Sequence, residues 1–542
     1  MKVKHYFYIL IVLLAGFLLH APTVQYPGFL QTSNHDGYIA AGDHGRDLYA
    51  FQRTMNGERP YQDYWWVYGP VMPYYYAFMM KIFGANIHAV LLGKLFLQVL
   101  AGVLFFLLSA RLMSGFAALT ASLWFLFFNQ NFYHTYNNAG AIVLILAVLL
   151  CLFDYLQLKK TVYFYAAQPL LILLMLIKFN IGAGVMIVFY LCAIGGRRYL
   201  KDAVPEDLRR YGSGLLAVSL ATTLLYAWSL QGLPQNLLRE YIPLANKDLT
   251  QMQPVGKNIL IFVNIYWNYF TSGKLPALLA LLVFIMALQT VLGLRRKDRG
   301  EDKRKQDVVI LTVLVLFYGV LLSEILLTGI FYRVFWSVPV TILFMFVFLD
   351  RGTDRLGKIL KGLLFSTLLL LLFLQLVDRF DHFGHVRSDP HRFWAHPKAR
   401  IYIDNEPAWL DVVDQTTMFL DKHLAPGERF LAIPYEPLYY FLTERTAPVR
   451  RLIFYKNAQP DMAEERQIID ALERQRVNWI VLSNTAHHVE AAFGTFGETH
   501  CVELARYIEA NYEIVATFGD FTKPGDWSGD YAVHILKRRS PK

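Results

Sequence analysis

Residues 161–195 read TVYFYAAQPLLILLMLIKFNIGAGVMIVFYLCAIG, and the fold turns on how often this stretch crosses a bilayer. A hydrocarbon core of ~30 Å is spanned by about 20 apolar helical residues, so the stretch is long for one crossing and short for two. Lys178-Phe179-Asn180 interrupts it, and the positive-inside rule decides. Counted as two spans, it puts every dense basic cluster on one side: Lys2/Lys4, Arg111, Lys159-Lys160, Arg197-Arg198 to Arg209-Arg210, Arg295 to Lys305 and Arg351 to Lys361. Fused into one, it strands the last two clusters opposite Arg111 and Lys159-Lys160.

Outward from this stretch, the other apolar runs place spans at 6–22, 87–108, 113–128, 139–157, 161–177, 180–195, 212–230, 274–294, 307–323, 330–349 and 359–377. The chain has 542 residues, 55% hydrophobic and only 17% charged, with mean hydropathy +0.33. That is too apolar for an ordinary soluble surface. The net charge of +10 is scattered over short loops and forms no nucleic-acid-sized patch, so no nucleic acid is expected as partner. His20-Ala21-Pro22 offers no small-x-small cleavage site, so the first run is expected to stay as an uncleaved span entering from inside. Cys151 and Cys192 lie in apolar runs, which leaves no disulfide framework or cysteine metal site.

The fold class is therefore a polytopic α-helical membrane protein of about eleven spans with a C-terminal extracytoplasmic α/β domain. Residues 1–377 form the membrane unit, with an outer loop at 23–86, and residues 378–542 the soluble tail. In the tail, helices are expected at Leu410–Leu424, Met462–Arg474 and Glu503–Asn511. Strands are expected at Arg429–Pro434, Val477–Ser483, Tyr512–Phe518 and Tyr531–Lys537. Strands alternating with helices make a small α/β domain.

The outer loop carries Asp43-His44-Gly45-Arg46-Asp47, then Gly57-Glu58-Arg59-Pro60-Tyr61-Gln62-Asp63, then Tyr68-Gly69-Pro70. Its aromatic density suggests short helices along the membrane interface. Acids at a membrane edge are costly to desolvate, which marks them as functional candidates; the plain alternative has Asp43 and Asp47 facing water at a helix start. Farther on, Lys178 and Arg333 stand at outer span ends, where snorkelling to headgroups is the ordinary explanation. Arg53 and Arg59 are further cations of the loop. His487-His488, His382, His385, His391 and His396 lack metal-ligand spacing, and Asn137-Asn138 is explained by turn chemistry. No metal or cofactor is expected.

This order of residues resembles the first outer loop of the GT-C glycosyltransferases, polyprenyl-phosphate-sugar-dependent enzymes that include protein O-mannosyltransferases and the lipid A aminoarabinose transferase. The shared elements are an Asp-x-Gly start, some ten residues of helix, Gly-x-x-Pro-Tyr-x-Asp, a Gly-Pro turn and a hydrophobic helix closing on Ile82-Phe83-Gly84. The resemblance implies a sugar moved, with inversion, from a polyprenyl-phosphate donor to a lipid, polysaccharide or protein acceptor on the outer face of a bacterial inner membrane, with membrane lipids as the other partners. It puts the family's loop acid on Asp43 as base, with Asp47 and His44 as helpers; His44 departs from the usual second acid. Lys178, in Leu-Ile-Lys-Phe-Asn, and Arg333, with Pro339 after it, fall where the family has cations, and with Arg46 are expected to bind donor phosphate. The lysine some members place before paired prolines is absent from Val67-Tyr68-Gly69-Pro70. Tyr61, Asp63 and Tyr68 are expected to bind substrate. A transporter is the main rival, opposed by the lack of inverted repeats and the large asymmetric tail. A glycan polymerase or ligase would share the donor but move a larger group.

Overall fold

The computed structural model describes residues 3–30, 38–128, 136–200, 206–233, 301–328, 331–352, 358–488, 493–525 and 530–540. Helices α1 (Val3–His20), α2 (Asp43–Met55), α3 (Val71–Phe83), α4 (Ile87–Leu112), α5 (Gly115–Phe128), α6 (Asn137–Leu158), α7 (Thr161–Met175), α8 (Phe179–Tyr199) and α9 (Glu206–Ser229) come first. They are followed by α10 (Glu301–Thr328), a 3-10 turn at Phe331–Ser337, α11 (Val338–Gly352) and α12 (Lys358–Ser388). Among the described residues seven helices are long and apolar enough to cross a membrane, and α5 and α7 are shorter apolar helices. Each expected span coincides with a helix except 274–294, which lies outside the described residues, and 330–349, whose first turn is 3-10 and whose helix starts at Val338.

The 161–195 stretch is two helices that run in opposite directions. Helix α7 leaves the end of the bundle where Arg111 Nε pairs with Asp154 at 2.7 Å and finishes against the loop that carries α2 and α3, where the Gly69 amide donates to the Ile177 carbonyl. Helix α8 starts there and returns, bringing Arg197 over the Tyr155 ring at 5.4 Å. Helix α7 ends at Met175, Leu176 and Ile177 form a turn, and Lys178 caps α8 in an extended conformation.

Ion pairs clamp the helices at the Arg111 end. Lys361 meets Asp350 at 2.7 Å, Arg351 pairs with the buried Asp307, and Ser114 donates to Asp350 through both its amide and its hydroxyl. Charges buried near hydrocarbon persist because they are paired. Basic residues of the sequence clusters thus tie α4 to α6, and α10, α11 and α12 to one another. The opposite end of α4, about 39 Å away at 1.5 Å per residue, carries the loop and the tail, where the Ile87 amide donates to the Lys398 carbonyl at 2.8 Å.

Helix α12 continues through Asp378 to Ser388. The change of composition at 377/378 therefore falls within one helix, and the first strand of the tail begins at Phe393. The tail holds β1 (Phe393–Trp394), β2 (Ile401–Tyr402), α13 (Pro407–His423), β3 (Phe430–Ile433), α14 (Leu438–Leu442), α15 (Met462–Arg474), β4 (Trp479–Ser483), α16 (Val502–Asn511), β5 (Tyr512–Phe518) and β6 (Val533–Arg538). Its sheet has the order β3-β4-β6-β5, with β3 parallel to β4 and the other pairs antiparallel. The fully buried Leu431, Ile433, Ile480 and Leu504 form the core on one face, with α15 and α16 over it.

The loop helices differ from the interfacial pair expected. Helix α2 is buried from His44 through Gln52, walled by bundle and tail, and Phe51 stacks on Tyr76 at 4.6 Å. Only α3 keeps an exposed apolar face, at Tyr74, Phe78, Ile82 and Phe83, of the kind that suits headgroups.

Candidate functional site

Helix α2 begins at Asp43, where unsatisfied amides favour an acid. Asp43 keeps 45% of its side chain exposed while Asp47, one turn on, is fully buried. Between them Arg46 binds both: Nη1 reaches Asp43 Oδ1 at 3.0 Å, and Nε and Nη2 reach Asp47 Oδ1 at 3.0 and 2.8 Å. The Tyr136 amide donates to Asp47 Oδ2 at 3.2 Å. A fourth group comes from the tail: the Tyr435 hydroxyl donates to Asp43 Oδ1 at 2.9 Å and accepts from Arg46 Nη1 at 3.0 Å. Asp43 is thus the accessible carboxylate, held in place by a cation and a phenol, and Asp47 is the buried counter-charge.

Two glycines permit this closeness. A Cβ at Gly42 would enter the Tyr435 ring, and one at Gly45 would stand 2.7 Å from the Leu438 Cα. The tail segment Tyr435–Leu438 therefore lies directly on the Asp43-His44-Gly45 turn, fixed by the Leu438 amide donating to the Ala41 carbonyl. Asn405 adds two hydrogen bonds to the Ile39 backbone: its Oδ1 accepts the Ile39 amide at 2.7 Å and its Nδ2 donates to the Ile39 carbonyl at 3.0 Å.

The Tyr68-Gly69-Pro70 turn joins the loop to the membrane helices. Gly69 packs onto the Leu176 carbonyl so closely that a Cβ would overlap it. This sets Lys178 next to the turn, its ammonium over the Trp336 ring at 4.8 Å. Trp336 shares a 3-10 turn with Arg333. Tyr68 lies under Arg46 at 5.1 Å and within the field of Asp43, Asp47 and Arg333. Of the residues expected from sequence, Asp43, Arg46, Asp47 and Tyr68 are brought together here, with Lys178 alongside and Arg333 near enough for its charge to act on Tyr68.

Three others have different places. His44 is buried, and its Nδ1 accepts the Ala40 amide at 2.9 Å, which supports the turn ahead of α2. Tyr61 is buried and donates to the Tyr68 carbonyl, so it shapes the Tyr68 turn from behind. Asp63 is exposed and accepts the Arg59 amide at 2.7 Å, away from Asp43. Tyr435 and Tyr136 were missed by sequence reasoning; the signal for Tyr435 is the run Pro434-Tyr435-Glu436-Pro437-Leu438-Tyr439-Tyr440-Phe441, dense in aromatics for a soluble loop.

Burial pushes the Asp47 carboxyl up to about 6, although Arg46 opposes it. Burial likewise pushes Tyr68 up to about 12, with Arg46 working against it, so Tyr68 remains a proton donor at neutral pH. Above about pH 6 Asp47 is charged and shares Arg46 with Asp43; below it Asp47 is neutral, and the Arg46 clamp that holds Asp43 in place loses its second carboxylate. The turnover rate is expected to fall on the acid side of about 6. Asp47→Asn should be roughly tenfold slower at neutral pH, the effect of about 1.4 kcal/mol, and should lose that limb. The measurement is a pH–rate profile of both proteins. Tyr435→Phe removes one hydrogen bond to a charged group, worth about 1.5–3 kcal/mol, and is expected to lower kcat by roughly 10- to 100-fold with KM for donor little changed.

Among the described residues no group of three or more His, Cys, Asp or Glu side chains is arranged to hold a metal ion.

Residues 67–229 match the family model described as dolichyl-phosphate-mannose-protein mannosyltransferase. By sequence, no curated protein matches the chain. Among solved structures it is similar to the Archaeoglobus fulgidus oligosaccharyltransferase in the apo form, with TM-score 0.50 and 12% identity over 90% of this chain and 70% of that one. The same enzyme in complex with zinc and sulfate gives TM-score 0.50 and 12% identity over 96% and 73%. ArnT from Cupriavidus metallidurans bound to undecaprenyl phosphate gives TM-score 0.45 and 11% identity over 98% and 97%. At such identity a common fold is what is shared. The chain shares its fold with the Archaeoglobus fulgidus oligosaccharyltransferase, and its residues 67–229 match the sequence model of the dolichyl-phosphate-mannose-protein mannosyltransferase family.

Proposed function

We propose that this protein is a membrane glycosyltransferase that moves a sugar from a polyprenyl-phosphate donor to an envelope acceptor on the outer face of a bacterial inner membrane. The observation that carries the proposal is an accessible carboxylate, Asp43, held by Arg46 and Tyr435 beside the turn where Lys178 and Arg333 approach the loop. The family matched by residues 67–229 is described by a lipid-phosphate-linked mannose donor, which agrees with this chemistry.

In the reaction, the acceptor hydroxyl oxygen attacks the anomeric carbon from the face opposite the phosphate. Asp43 takes the hydroxyl proton. The bond from the anomeric carbon to phosphate oxygen breaks with its electron pair, and polyprenyl phosphate leaves. Its charge is met by Lys178, held over the Trp336 ring, and by Arg333 of the same 3-10 turn as Trp336, cations that stabilise the charge developing on the leaving phosphate. A single displacement of this kind inverts the anomeric configuration. Arg46 serves Asp43 and not the donor, because its guanidinium is taken up by two carboxylates and Tyr435.

The test is to incubate membranes containing the protein with a panel of radiolabelled polyprenyl-phosphate sugars and to separate the lipid, glycan and protein fractions. Label leaving one lipid for an acceptor, with free polyprenyl phosphate formed in equal amount, is the expected result. Label that stays in every lipid of the panel overturns the proposal. The tail's sidedness has its own check: protease added to intact spheroplasts should remove residues beyond α12, and cleavage only after lysis would reverse the orientation.

A further inference from the structure

A cavity of about 470 Å³ lies between the loop and the tail and is lined by Tyr49, Arg53, Glu58, Asp63, Arg429 and Arg450 among others. It is separate from the Asp43 site: Arg53 is ten residues along α2 from Asp43, about 15 Å at 1.5 Å per residue. Its size is that of a small-ligand site.

Three guanidiniums face two carboxylates in this cavity, and each is held in a fixed direction. Arg53 lies over the Tyr49 ring at 5.7 Å, pairs with Glu58 and donates to Thr446 of the tail. Arg429 donates to the neutral amide oxygen of Gln475 at 2.6 Å, and Arg450 to the Tyr61 carbonyl at 2.8 Å. Asp63 is turned back onto the Arg59 amide. The charge balance is positive, and guanidiniums recognise carboxylate and phosphate through paired N–H groups. The Arg450 bond to Tyr61 also ties the cavity to the reaction site, since the Tyr61 hydroxyl supports the Tyr68 turn.

We infer that this cavity holds an anionic sugar unit of the acceptor, one bearing a carboxylate or a phosphate, at a distance from the hydroxyl that receives the new sugar. This rests on the glycosyltransferase reading and deepens it, because binding a remote part of a substrate positions its reacting end. Donor recognition is not involved, since the cavity is bounded by the loop and the tail and its lining includes neither Lys178 nor Arg333.

The experiment uses the full-length protein in detergent, without donor, and three probes: glucose 6-phosphate, glucuronate and glucose. Saturation-transfer NMR is expected to show at least one of the two anionic sugars bound and glucose not, with the anion that binds naming the acceptor's charged group. Arg429→Gln changes an exposed side chain and should weaken binding at least fivefold, and Arg450→Gln likewise. Asp43→Asn should leave it unchanged. Glucose bound as well as the anions, neither anion bound, or binding indifferent to Arg429→Gln overturns the inference. Because no transfer is read, anion binding that persists when every lipid donor fails would leave this site standing and remove the glycosyltransferase reading alone.

Discussion

Asp43→Asn is expected to leave expression, membrane insertion and donor binding intact and to lower sugar transfer by about 10²- to 10⁴-fold, the usual contribution of a general base. The substitution keeps the size of the side chain. Its amide oxygen can still accept from Arg46 and Tyr435, both of which act on Oδ1, so the loop should hold its shape. What is lost is the charge that accepts a proton. The paired control is Asp47→Asn, which removes an acid of the same cluster that no acceptor reaches because it is fully buried. A loss in Asp43→Asn much larger than in Asp47→Asn, with folding equal by thermal melting, is the expected pattern. Parent-like turnover in Asp43→Asn would remove the base assignment.

Gly45→Ala should be nearly as damaging by another route. The added methyl meets the Leu438 Cα at 2.7 Å and the backbone nitrogen closer still, and backbone on both sides cannot rotate away as a flexible side chain would. Overpacking of this kind costs typically 1–3 kcal/mol. The strain is relieved by lifting the Tyr435–Leu438 segment from the loop, which takes the Tyr435 hydroxyl from Asp43. Transfer is therefore expected to fall at least as far as in Tyr435→Phe, and limited proteolysis should cut the tail faster than in the parent. Full activity with parent-like proteolysis would show that the tail does not need to sit on the loop.

Much of this architecture is legible in the sequence because hydrophobic length and charge sidedness are local properties. The break at Lys178 was visible as a polar interruption, and the basic clusters settled the number of helices around it. Met462–Arg474 and the tail strands follow from periodicity in the same way. The site was only half legible. The loop motif marked Asp43, Arg46, Asp47 and Tyr68 through resemblance to a family, but motif spacing says nothing about which acid is buried. Asp47 is desolvated because α2 is covered by both bundle and tail, a tertiary fact. Tyr435 comes from nearly four hundred residues away in sequence, and no local pattern links it to Asp43. His44 looked like a chemical participant by adjacency, whereas its Nδ1 holds the turn through the Ala40 amide. Asp63 matched a motif position, yet the chain turns after Tyr61, at φ 70°, and Asp63 folds back to accept the Arg59 amide.

Binding of a polyprenyl donor's phosphate by Lys178 and Arg333 beside Asp43 is measurable by native mass spectrometry of the purified protein with polyprenyl phosphate and with the matching polyprenol. The phosphate-bearing lipid should be retained at least tenfold better than the alcohol, and that preference should be lost in Lys178→Gln and Arg333→Gln while Asp43→Asn keeps it. Equal retention of lipid phosphate and alcohol by the parent protein, or a preference unchanged in both cation variants, would contradict the account.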